Sequence, residues 1–113
     1  MQIAERSVGN VTVLDLSGQI TLTKGDDQLF KDKVNSLVHQ GRKQILVNLA
    51  NVTHVDSAGL GELVGAYTTV ARAGGSMKLV NLTKKLQDLL AITKLVTVFD
   101  TYDSEKDALG AFS

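Results

Sequence analysis

The spacing of apolar positions changes several times along the chain, and each change marks a new element. Ile3 to Val8 and Val11 to Leu16 are short β-rich runs separated by Gly9-Asn10. That dipeptide is a hairpin signal, weaker than Asn-Gly but of the same kind. The period then lengthens. Phe30, Val34, Leu37 and Val38 fall at i, i+4, i+7 and i+8 with polar residues between them, which predicts one apolar stripe on a helix that Gly41 ends.

Ile45 to Leu49 is almost continuously apolar, the pattern of a strand covered on both faces in a parallel sheet. From about Ser57 the helical period returns, carried by Leu60, Leu63, Val64, Tyr67, Val70 and Ala71, and Gly74-Gly75 stop it. Met77 to Leu82 predicts another buried strand. Thr83 is placed to cap a short helix bearing Leu86, Leu89 and Leu90. Val96 to Thr101 is a further strand candidate, and Ser104 opens a last helix with Ala108, Leu109 and Phe112 inward.

A hairpin followed by alternating helix and strand predicts an α/β fold. Its sheet is mixed and four- or five-stranded, with about four helices and right-handed crossovers. At 113 residues the chain is expected to form a single domain over 1–113 and to bury roughly two-thirds of its unfolded surface.

Composition narrows the function. Lys+Arg and Asp+Glu balance at 12 each, so the formal net charge is +0. Non-specific nucleic-acid binding needs a basic face to neutralise phosphates, and this balance argues against it. With no cysteine, disulfides and thiolate metal sites are excluded. No apolar run approaches the roughly 18 residues of a membrane span, and the first residues show no signal peptide, so the expectation is a soluble, cytoplasmic protein without membrane insertion. No repeat or low-complexity tract is present.

The segment that stands apart is Val55-Asp56-Ser57-Ala58-Gly59-Leu60-Gly61-Glu62-Leu63, where a buried strand turns into a helix. A glycine inside a helix costs about 1 kcal/mol relative to alanine. This helix carries Gly59, Gly61 and Gly65. Ala58, Gly61 and Gly65 at i, i+3 and i+7 make a strip nearly free of side chains. One reading packs that strip tightly on the protein's own sheet or a neighbouring helix. The other leaves it for a partner. Ser57 also reads two ways, as an N-cap worth about 1 kcal/mol or as a modification site beside unpaired amides and the positive helix end.

Enzymatic readings fare poorly. Gly59-x-Gly61-x-x-x-Gly65 is one residue too long for a dinucleotide fingerprint, and Asn81 stands where a ribose-binding acid would be needed. Pairing Ser57 with His54 as a hydrolase lacks the nucleophile elbow. Two histidines, His39 and His54, without cysteines or clustered carboxylates give no metal site. No catalytic residue and no cofactor are expected.

Asp-Ser-Ala-Gly-Leu-Gly after an apolar strand and ahead of an amphipathic helix resembles the signature of STAS domains, closely that of bacterial anti-sigma-factor antagonists. The resemblance extends over the opening strands, a turn at Leu16-Ser17-Gly18-Gln19-Ile20, Val47-Asn48-Leu49, Met77 to Leu82 and Val98-Phe99. It implies a STAS-like fold and a docking protein rather than an enzyme. In that family the serine matching Ser57 is phosphorylated by a kinase that is also the anti-sigma factor. The unphosphorylated form binds this partner and frees the sigma factor, and a phosphatase resets the switch. The implied contact surface is Asp56, Ser57, Ala58, Gly59, Leu60, Gly61 and Glu62, together with Thr21; homodimer formation is left open. One departure is visible. Antagonists often carry an acid in a Gly-x-Leu/Ile-Asp pattern, and this chain has Gly18-Gln19-Ile20-Thr21, with Asp26 and Asp27 nearby. The alternative is a STAS docking module that is never phosphorylated, in a stressosome-type scaffold or a lipid-transport ATP-binding-cassette system.

Overall fold

A computed structural model describes residues 2–20 and 26–112, with the backbone alone described for 26–28. Strand β1 (Gln2–Val8) and strand β2 (Val11–Ile20) form the antiparallel hairpin. Gly9 has φ +60 at the first central position of the two-residue turn and Asn10 is not in the positive-φ region. That is the glycine-first arrangement of a type II′ turn, whose twist suits a hairpin. The order Gly-Asn therefore selects a different primed turn from Asn-Gly.

Helix α1 (Asp26–His39), strand β3 (Gln44–Val55), helix α2 (Ser57–Arg72), strand β4 (Ser76–Val80), helix α3 (Lys84–Ile92), strand β5 (Asp100–Tyr102) and helix α4 (Glu105–Gly110) follow. The five strands lie in the order β1-β2-β3-β4-β5, and every pair after the hairpin is parallel. The expected α/β fold with a mixed sheet and four helices is what forms.

Alternation along the strands distributes the core. Leu14, Leu16, Ile45, Val47, Leu49, Met77 and Leu79 face one side of the sheet, where Phe30, Val34 and Leu37 of α1 meet them. Leu60, Leu63 and Val70 of α2 and Leu86 and Leu90 of α3 complete that layer. Each such side chain contributes about 1.5–3 kcal/mol when fully buried. The opposite face has a smaller cluster of Val11, Val13, Leu46 and Val80, closed by Ala108 of α4 with Tyr102, Leu109 and Phe112 around it. Three helices thus cover one face and a single short helix part of the other.

The part of that second face beyond α4 is polar and internally bonded. Asn48 donates to Asp15 at 2.7 Å, and Asn81 donates to the Asn48 side-chain oxygen at 3.1 Å, so one ladder crosses β2, β3 and the end of β4. Arg6 clasps Asp15 through two nitrogens, at 2.6 and 3.0 Å, and also reaches Glu105 of α4 at 2.5 Å. The Arg6 hydrogen bonds, helped by Asn48, hold the Asp15 carboxyl below the usual carboxylate range against the opposing effect of burial.

Three sequence expectations are corrected. The predicted strand at Val96 to Thr101 begins only at Asp100, because Lys94 takes a left-handed φ of +62 and Leu95–Thr97 close a 3-10 turn. The segment Leu16 to Ile20 is no turn. It continues β2 through register shifts against β3, with Gly18 at φ +90. Ala71 is exposed, and Ala66 takes the inward place in α2.

Candidate functional site

β2 and β3 end side by side, with Ile20 paired to Val55, and the chain turns there into α2. Asp56 has φ −92 and ψ −179, an extended conformation, and its Oδ1 accepts the Gly59 N–H at 2.7 Å. Its carbonyl accepts the Leu60 N–H at 2.9 Å. Asp56 is therefore the N-cap, a role that aspartate fills as well as serine. The reading of Ser57 as the cap is overturned. Ser57 is the first helical residue, exposed, and its hydroxyl is not committed to the cap.

Gly59 explains how the turn sits so close to the sheet. A methyl group on it would overlap the carbonyl oxygen of Ile20. Of the three helix glycines this is the one demanded by the protein's own packing. Gly61 and Gly65 have nothing within 4 Å of where a Cβ would stand. The strip idea therefore divides: an internal constraint at Gly59 and open surface at the other two.

The residues picked out from the sequence separate accordingly. Ser57 and Gly61 are exposed, and Asp56, Ala58 and Glu62 are half-buried. Leu60 is 4% exposed and belongs to the core, so it is not the apolar contact that the sequence suggested; the 3.6-residue period sends it inward with Leu63. Gly59 is buried too. Thr21 lies outside the described residues. Among the described residues the first turn carries no acid, since Glu62 stands a turn further on. His54 is exposed on β3 opposite Gln19, and His39 Nδ1 lies 3.0 Å from the Asn35 carbonyl oxygen in its own helix.

Sequence reasoning missed the floor and walls beside the tip. Gly61 and Gly65 open into a groove of about 390 Å³ between α1 and α2, flanked by Lys31, Asn35, Glu62 and Arg72. The i, i+4 spacing of the two glycines was the available signal. What it could not reveal was that α1 forms the other bank.

Four helices packed on a five-stranded mixed sheet, with β3 leading into an exposed helix start capped by Asp56, define a class of small α/β domain. The chain belongs to the STAS domain family, whose model matches residues 2–108. It is 33% identical over 87 residues, 77% of each chain, to the anti-sigma-B factor antagonist of Bacillus subtilis. A crystal structure of the Thermotoga maritima protein TM1081 superposes with a TM-score of 0.87 at 25% identity, covering 96% of this chain and 92% of that one. The anti-sigma factor antagonist SpoIIAA of Bacillus is similar in fold in both its unphosphorylated and its phosphorylated form, each with a TM-score of 0.74. Those two share 16% and 18% identity with this chain and cover 96% of it, and 94% and 97% of their own lengths are matched. Among the described residues no helix is long and apolar enough to cross a membrane.

Proposed function

We propose that residues 1–113 act as one docking unit, an anti-sigma-factor antagonist working by partner switching in the cytoplasm rather than by catalysis. The unphosphorylated tip at Ser57, Ala58, Gly61 and Glu62 binds an anti-sigma factor that is also a serine kinase. Asp56 positions this surface from behind. Phosphorylation of Ser57 releases the partner, and a phosphatase restores binding.

The observation that carries this reading is the exposed Ser57 hydroxyl on the first turn of α2, beside a cap supplied by its neighbour. A phosphate there would sit at the positive end of the helix next to its N-terminal amides, so the helix tolerates it. The same group adds about −1.5 to −2 charges to a surface that must lie flush against a partner. Burying it without a cation costs several kcal/mol, and about 4 kcal/mol is roughly a thousandfold in affinity. The likeness to one fold in both a phosphorylated and an unphosphorylated form supports a switch that leaves the architecture intact.

The test is binding of the cognate anti-sigma factor to three proteins. Ser57→Ala should bind constitutively, including after incubation with ATP, and Ser57→Asp should bind poorly. Equal, wild-type binding by both variants would remove Ser57 from the mechanism. Stable binding with no phosphate incorporated would leave the unphosphorylated docking module in its place.

A further inference from the structure

The β1 edge of the sheet offers a second interaction surface, independent of the Ser57 tip. Among the described residues β1 pairs only with β2 and stands at the end of the strand order. Val8 and Val11 close the two-residue turn, so they form a hydrogen-bonded pair, and such pairs alternate with non-bonded ones along an antiparallel ladder. Val8, Arg6 and Ala4 thereby aim their backbone groups at β2. Ser7, Glu5 and Ile3 aim theirs outward. An edge of this kind is a template for another strand unless something guards it.

Charged side chains are the usual guard. Here both charges on the strand are drawn back over the molecule. Glu5 is held by Lys33 and Arg42, each at 3.1 Å, on the α1 side. Arg6 is held by Asp15 and Glu105 on the α4 side. Within β1 itself there is no proline, and its pairing to β2 runs without a register shift from Gln2 to Val8. The edge is long, regular and disarmed.

We infer that this edge pairs with the β1 of a second copy of the chain, antiparallel, about a two-fold axis through Glu5. That register sets Ile3 opposite Ser7 and Ala4 opposite Arg6, and makes about six new backbone hydrogen bonds. No unlike faces meet, since odd residues oppose odd ones. The one like-charge opposition, Glu5 against Glu5, is neutralised in each protomer by its two cations; unscreened, it would disfavour the pair. A strand-to-strand contact is small beside the roughly 1,600 Å² of a standard interface, so the association is weak. An extended segment of a foreign protein would use the same amides. The self-complementary register and the paired-off charges favour a second copy.

Sedimentation velocity on the full chain up to about 1 mM, a concentration that populates even millimolar complexes, should show a concentration-dependent species of twice 12.1 kDa. Ser7→Pro removes an outward N–H without touching the hairpin ladder and should weaken the dimer at least tenfold with an unchanged circular dichroism spectrum. Lys33→Gln with Arg42→Gln should weaken it as well. Hydrogen exchange on the wild type gives a readout free of folding artefacts: the amides of Ile3, Glu5 and Ser7 should gain protection as concentration rises, and those of Ala4 and Arg6 should not. A monomer throughout the range, or a dimer without concentration-dependent protection at those three amides, would overturn the inference.

Discussion

Gly59 and the carbonyl oxygen of Ile20 are in such close approach that no side chain fits between helix α2 and the end of strand β2. This contact sets where the exposed turn carrying Ser57 stands relative to the sheet. Gly59→Ala must push the helix start off Ile20, an overpacking cost of about 1–3 kcal/mol. Thermal unfolding should register it, at roughly 4–8 °C per kcal/mol for a chain of this size.

Gly61→Ala should do the reverse. The position is open, so the substitution gains helix propensity, about 0.5–1 kcal/mol, with nothing to collide with. A rise in Tm accompanied by loss of partner binding would locate the need for glycine outside the fold. A fall in Tm would show that the open space is not open in solution.

Asp56→Ala removes the acceptor for the Gly59 N–H and should cost about 1 kcal/mol. Asp56→Asn keeps a capping oxygen and should keep most of the stability. Urea unfolding of both variants separates the cap from the charge, because a charge effect would make them equally unstable.

Leu60 and Ser57 are three residues apart and should behave oppositely. Leu60→Ala empties a core position that is 4% exposed, at a cost of about 2–5 kcal/mol. Ser57→Ala changes an exposed site and should stay within about 0.5 kcal/mol of wild type. Calorimetry on the two variants checks this, and it keeps a loss of binding by Leu60→Ala from being mistaken for a contact.

The Arg6–Asp15 pair should give stability a pH dependence of defined sign. The hydrogen bonds from Arg6 hold the folded-state Asp15 carboxyl below the ordinary carboxylate range. A carboxylate shifted down binds fewer protons folded than unfolded, so its contribution is complete above the unfolded pKa and fades as pH falls through the folded one. Arg6 is 42% exposed, which limits the pair to about 1 kcal/mol or less. Asp15→Asn should therefore be less stable than wild type at pH 7, with the gap closing under strong acid. Urea titrations across that range would reveal it; a gap constant with pH would contradict the assignment.

Much of the architecture could be read from periodicity, because the strands buried on both faces and the helices with one apolar stripe are distinct patterns here. Gly9, Gly41, Thr83 and Ser104 took the turn and cap positions that their chemistry suggests. The failures share a cause. Val96 looked like a strand because β-branched residues cluster there, and the left-handed Lys94 that bends the chain has no sequence signature of its own. Ser57 and Asp56 are both good caps, and only the extended arrival of β3 decides between them. The three glycines of α2 look alike in sequence, yet Ile20, a residue on another strand, gives one of them a different physical reason.

The amide ladder Asp15–Asn48–Asn81 has a consequence for assembly of the sheet. Each rung joins a different pair of elements, so sliding β3 by one residue would flip Asn48 to the apolar side and take its amide from both Asp15 and Asn81. A mispairing anywhere in the centre is penalised on two neighbours at once, which ties correct alignment of the middle strands into one cooperative decision.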